Sequence, residues 1–169
     1  MKTVQNFGMM YILVVVGQML VCNYFHVSMY VTLSVLPAAI LCLPLSAGTI
    51  TAMFIAFISG LAVDALSDAV LGLNALALVP VALCRIPVIR LFLGTEIIER
   101  KGTFSFRQNG YIKIGGALAV CLAIYLAIYI TADGAGVRPF WFNAARFIAS
   151  LAGSWLLSLF IVKILTSAD

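Results

Sequence analysis

Residues Gly60 to Ala77, GLAVDALSDAVLGLNALA, place two acids inside sequence that is otherwise almost free of charge. The first part is a run of small and apolar residues holding Asp64 and Asp68. The second contains Leu71-Gly72-Leu73-Asn74, a group of small and polar residues of the kind that turns a chain. Apolar runs extend on both sides, so the segment reads as the end of one buried helix, a turn and the start of the next. A charge at the centre of a membrane helix costs about 2.5–3.5 kcal/mol on insertion scales. Asp64 therefore needs a partner.

The same apolar character covers the whole chain. Of its 169 residues, 64% are hydrophobic and 9% charged, and the mean hydropathy is +1.16. Soluble domains run to about 45–50% apolar and about 25% charged, so this composition belongs to an integral membrane protein. Residues 1–169 form a single polytopic membrane domain, with no room for a separate soluble one. The apolar runs are Phe7–Tyr24, Val27–Leu43, Thr49–Leu66, a fourth from after Gly72 toward Leu93, Ile112–Thr131 and Phe140–Leu165. At about 20 residues per span, they predict an all-α compact bundle of six transmembrane helices. If Val27–Leu43, which contains Pro37, is re-entrant, the bundle has five spans and a re-entrant segment.

Phe7–Tyr24 lacks a small-residue cleavage site and reads as a retained span rather than a signal peptide. Pro80 and Pro87 predict a break of the fourth run near Arg85, continuing as an interfacial segment. Three ridges of small residues at intervals of four, Ala52-Ala56-Gly60, Gly115-Ala119-Ala123-Ala127 and Ala145-Ala149-Gly153, would let helices approach closely.

The formal net charge is +4, but the bases gather near the ends of apolar runs. Orientation and anionic membrane lipids account for them, and nucleic-acid binding is not expected. With six spans and a cytoplasmic N-terminus, eight of the ten bases fall inside, leaving Arg138 and Arg146 outside. This rule places both termini in the cytoplasm. Arg100, Lys101 and Arg107 then lie in an inner loop, which is either a solvated connection or a docking site for a cytoplasmic partner.

In this topology Asp64, Asp68 and Arg146 share the outer leaflet. The expectation is an intramembrane ion pair between Asp64 and Arg146 that clamps the third span to the sixth. Asp68 and Asn74 are possible outer-face contacts for a partner or ligand, and Asn74 is the expected cap of the fourth span. Catalytic residues are not expected. There is no HExxH helix and no nucleophile elbow, and His26 stands alone. Cys22, Cys42, Cys84 and Cys121 are scattered through apolar runs, so neither a metal nor a cofactor is expected.

The central segment resembles the MreD family of bacterial rod-shape-determining membrane proteins. The matching residues are Gly60-Leu61 followed by Asp64, then Leu71-Gly72, with Ala75 and Leu76. The resemblance implies a non-enzymatic scaffold subunit of the cell-elongation complex in the bacterial cytoplasmic membrane, supporting peptidoglycan synthesis and cell shape. It implies a single-span MreC-like partner and indirect links to an MreB-like cytoskeleton, a RodA-like polymerase and a class B penicillin-binding protein. That family is also similar, in its six-span bundle, to the S components of energy-coupling-factor vitamin transporters. The alternative function is therefore capture of a small molecule, with Asp68, Asn74 and Arg146 near its pocket. Those components present an Ala-rich face on the first span, whereas Phe7–Tyr24 is dominated by Met, Leu and Val.

Overall fold

The computed structural model describes residues 2–24, 32–67, 70–99, 110–134 and 139–167. These form seven helices and no strand: α1 (Lys2–Tyr24), α2 (Leu36–Leu41), α3 (Thr49–Leu66), α4 (Leu73–Leu93), α5 (Thr95–Glu99), α6 (Tyr111–Gly134) and α7 (Phe140–Ser167). The expected sites Asp68, Arg100, Lys101 and Arg107, and also His26, lie outside the described residues.

Four helices, α3, α4, α6 and α7, are long and apolar enough to cross a membrane. The chain is a multi-pass membrane protein on that ground. The 23 residues of α1 would extend about 34 Å at about 1.5 Å per residue. Large side chains such as Ile12, Phe54, Leu91 and Ile148 are exposed, the pattern of a bundle turned outward to lipid.

From α3 onward, consecutive long helices run antiparallel. α3 packs along α4, α4 along α6 and α6 along α7. Two contacts fix the level of the ends. Asn23 Nδ2 donates to Leu66 O at 3.1 Å, joining the end of α1 to the end of α3. Trp155 Nε1 donates to Gly115 O at 3.0 Å, setting the second half of α7 beside the start of α6. One end of the bundle thus gathers the ends of α1, α3 and α6 with the starts of α4 and α7. We call it the Asp64 end.

Because α1 finishes at this end and α3 starts at the other, the connection between them runs the length of the bundle. Its described part is irregular over 32–35, helical over the six residues of α2, and a turn from Cys42 to Gly48. Every residue of α2 is buried. This short helix touches all five long helices, so it is the axis around which they pack. The run Val27–Leu43 is thus helical only over Leu36–Leu41 among its described residues. Irregular backbone is tolerated at membrane depth only where protein surrounds it, and here protein does.

The expected break near Arg85 does not occur. α4 is continuous through Pro80 and Pro87 to Leu93 and stops at Gly94, whose φ is 91°. Each proline removes one backbone donor, a loss that packed membrane helices accommodate. Only then does α5 turn away, with Ile97 and Ile98 against the core and Glu96 exposed.

The small-residue ridges divide in role. Ala52, Ala56 and Gly60 are buried. A β-carbon on Gly60 would stand 2.6 Å from both Cα and N of Ala75, so α3 and α4 touch backbone to backbone. Gly115 is buried, but Ala127 at the far end of its ridge is exposed, as are Ala145 and Ala149 on α7.

Candidate functional site: a polar layer at the Asp64 end

Asp64 is 1% exposed and lies in the last turn of α3. Its Oδ2 accepts from the backbone N–H of Gly72 at 3.0 Å and of Asn74 at 3.1 Å, with Ala75 N at 3.4 Å. Its Oδ1 accepts from Asn74 Nδ2 at 2.7 Å. These are N–H groups that the first turn of a helix leaves without partners, and the positive end of the helix dipole lies there. Asp64 therefore caps α4 from the preceding helix. The chain reaches this geometry because Gly72 adopts a φ of 90°, open to glycine and strained for other residues.

Asn74, the expected cap, does something else. It donates to Asp64, and its Oδ1 accepts from the hydroxyl of Tyr125 on α6. Asp64, Asn74 and Tyr125 are thus one buried relay tying α3, α4 and α6. The accepting positions of the carboxylate are taken up by these donors.

The expected ion pair between Asp64 and Arg146 is not formed. Arg146 Nη1 pairs with Asp133 Oδ2 at 2.5 Å, and its Nε and Nη2 donate to Thr32 Oγ1 at 3.2 and 2.9 Å. Asp133 lies in the last turn of α6 and Arg146 in the second turn of α7, so the clamp joins neighbouring helices across their own turn. Arg146 is paired with Asp133, while the oxygens of Asp64 are occupied by N–H donors.

Between these two groups runs the irregular segment 32–35. Thr32 N donates to Ser150 Oγ at 2.8 Å, Ser34 N to Ser154 Oγ at 3.0 Å and Val35 N to Gln18 Oε1 at 2.8 Å. Gln18 Nε2 returns a bond to Leu33 O at 3.0 Å. Side chains of α1 and α7 thus take the place of helical hydrogen bonding. Ser150, Ser154 and Ser158 are each 0% exposed. Their spacing of four residues in an apolar run was the available signal for this inward face. The small ridge Ala145-Ala149-Gly153 lies one register earlier and is the more conspicuous pattern in the sequence.

Polar atoms remain in the interior. Ser34 Oγ and Ser158 Oγ are buried without a hydrogen-bond partner. Farther from the Asp64 end, Arg85 is 1% exposed and donates Nη2 to Leu43 O, while its Nε and Nη1 meet no acceptor. Among the described residues, no three His, Cys, Asp or Glu side chains gather in a way that could hold a metal ion. The four cysteines are free thiols.

No family model matches the chain, and neither the curated proteins nor the solved structures contain a match.

Proposed function

We propose that this chain is a non-enzymatic scaffold of the MreD kind, with six membrane crossings, both termini in the cytoplasm and a place in the bacterial cell-elongation complex. One observation carries the reading: the residues that bear the resemblance make one structural unit. Gly60 allows the close approach to Ala75, Asp64 caps α4, and Gly72 supplies the left-handed turn. Leu71 and Leu76 are exposed, as residues facing lipid or a partner helix would be. The polar groups of the unit are spent on one another, which suits a rigid support. The exposed Ala145 and Ala149 on α7 offer a surface that a single-span MreC-like partner could approach closely.

A second reading, an S component of a vitamin transporter, draws on Ser34 Oγ and Ser158 Oγ, buried polar atoms without a partner. It is weakened by Asn74 and Arg146, both already bonded within the chain.

Affinity purification of the intact protein from native membranes separates the two. Recovery of a single-span protein with a domain outside the membrane is the outcome expected of the scaffold. Recovery of a paired ATPase module, or tight binding of a vitamin, would replace it with the transporter reading.

A further inference from the structure

At the end of the bundle opposite Asp64, α4 carries a groove of about 460 Å³ lined by Ile86, Pro87, Arg90 and Leu91. Its walls are apolar and its one charge is Arg90, which is exposed and whose side chain makes no ion pair or hydrogen bond among the described residues. Arg90 lies four residues before Gly94, where α4 ends, so its Cα is about 6 Å from the helix terminus at about 1.5 Å per residue. That is the depth at which a long cationic side chain reaches the headgroup region. Ile86 lies about one helical turn deeper, level with acyl chain.

The geometry points to a site for one anionic phospholipid, its phosphate on the Arg90 guanidinium and an acyl chain along Ile86, Pro87 and Leu91. Charge complementarity selects the anionic class. A planar guanidinium in the lining offers paired N–H donors to phosphate oxygens. A soluble anion would use the charge and leave the apolar walls in contact with nothing suited to them. The site depends only on the chain crossing a membrane and holds in either orientation.

The test uses the full chain in vesicles of mixed phosphatidylcholine and phosphatidylglycerol, with a photoreactive analogue of each lipid and the cross-links mapped by mass spectrometry. Phosphatidylglycerol should label residues 86–91 in preference to phosphatidylcholine. Arg90→Gln should weaken that labelling about fivefold, the equivalent of about 1 kcal/mol for one base near an anionic surface, and Arg90→Lys should keep most of it. Lys163→Gln, which removes an exposed base of α7 nearer the same end, should leave it unchanged. Equal labelling by the two lipids, or labelling indifferent to Arg90→Gln, overturns the site. Competition by inorganic phosphate at matched ionic strength would overturn the lipid assignment and leave a soluble-anion site.

Discussion

Asp64 Oδ1 accepts a 2.7 Å hydrogen bond from Asn74 Nδ2 across the ten positions that turn α3 into α4. With the backbone donors at Gly72, Asn74 and Ala75, this bond makes the carboxylate the centre of the α3–α4 hairpin. Asp64→Ala should destabilise the protein by about 3 kcal/mol, because buried N–H groups lose their acceptor together. Asp64→Asn keeps one accepting oxygen and should cost about half as much. Thermal unfolding in detergent, followed by far-ultraviolet circular dichroism, reads both; an Asp64→Ala protein as stable as the parent would remove the capping role.

Gly60 and Gly17 make a matched comparison. A β-carbon at Gly60 collides with Ala75 backbone, whereas at Gly17 nothing lies within 4 Å. Gly60→Ala should cost about 1–3 kcal/mol through forced separation of α3 from α4. Gly17→Ala should be neutral or stabilise by up to about 1 kcal/mol through helix propensity. The same melting experiment compares them directly.

The Arg146–Asp133 pair predicts which residues are energetically coupled. A double-mutant cycle of Asp133→Asn with Arg146→Gln should give a coupling of about 1–2 kcal/mol. The cycle of Asp64→Asn with Arg146→Gln should be additive within about 0.5 kcal/mol. A reversal of these results would favour a direct tie between α3 and α7.

Gln18 holds both an N–H and a carbonyl of segment 32–35. Gln18→Leu keeps the bulk but strands both groups in an apolar setting, at a cost of about 2 kcal/mol. Hydrogen exchange should then accelerate at Val35 while the interior of α6 stays protected. Uniform loss of protection would mean that the segment opens only with global unfolding.

Arg85 behaves in the opposite sense. Its charge is buried and two of its nitrogens lack acceptors, so the single bond to Leu43 O offsets little of the desolvation. Arg85→Met should leave stability within about 1 kcal/mol of the parent or raise it. A large loss on the same melting assay would show that Arg85 has a compensating partner.

The four long helices α3, α4, α6 and α7 are legible in the sequence because a membrane imposes long apolar runs, and Thr49–Leu66 has its expected bounds, whereas Val27–Leu43 is helical only over Leu36–Leu41 among its described residues. Gly60, Asp64 and Gly72 were found because a small residue, an acid and a turn glycine are conspicuous in such surroundings. Their partners were not. An acid satisfied by backbone N–H groups leaves no opposite charge to find, so Arg146 looked like the natural mate of Asp64. Asp133, thirteen positions before Arg146, was hidden in what read as a connecting turn. Pro80 and Pro87 suggested a break because proline rules describe a helix alone, whereas α4 is held on both sides by α3 and α6. Gln18 and the serines of α7 signal an inward polar face only once a backbone segment is known to need them.

The dependence of segment 32–35 on α7 has a consequence in time. A transmembrane helix completes its own hydrogen bonds and can enter lipid as soon as it is synthesised, but Thr32 and Ser34 donate to Ser150 and Ser154, more than a hundred positions later. Segment 32–35 should therefore gain its full set of partners only once α7 has been made and packs against it. A nascent chain halted before Phe140 should leave that segment unsettled and open to quality-control proteolysis.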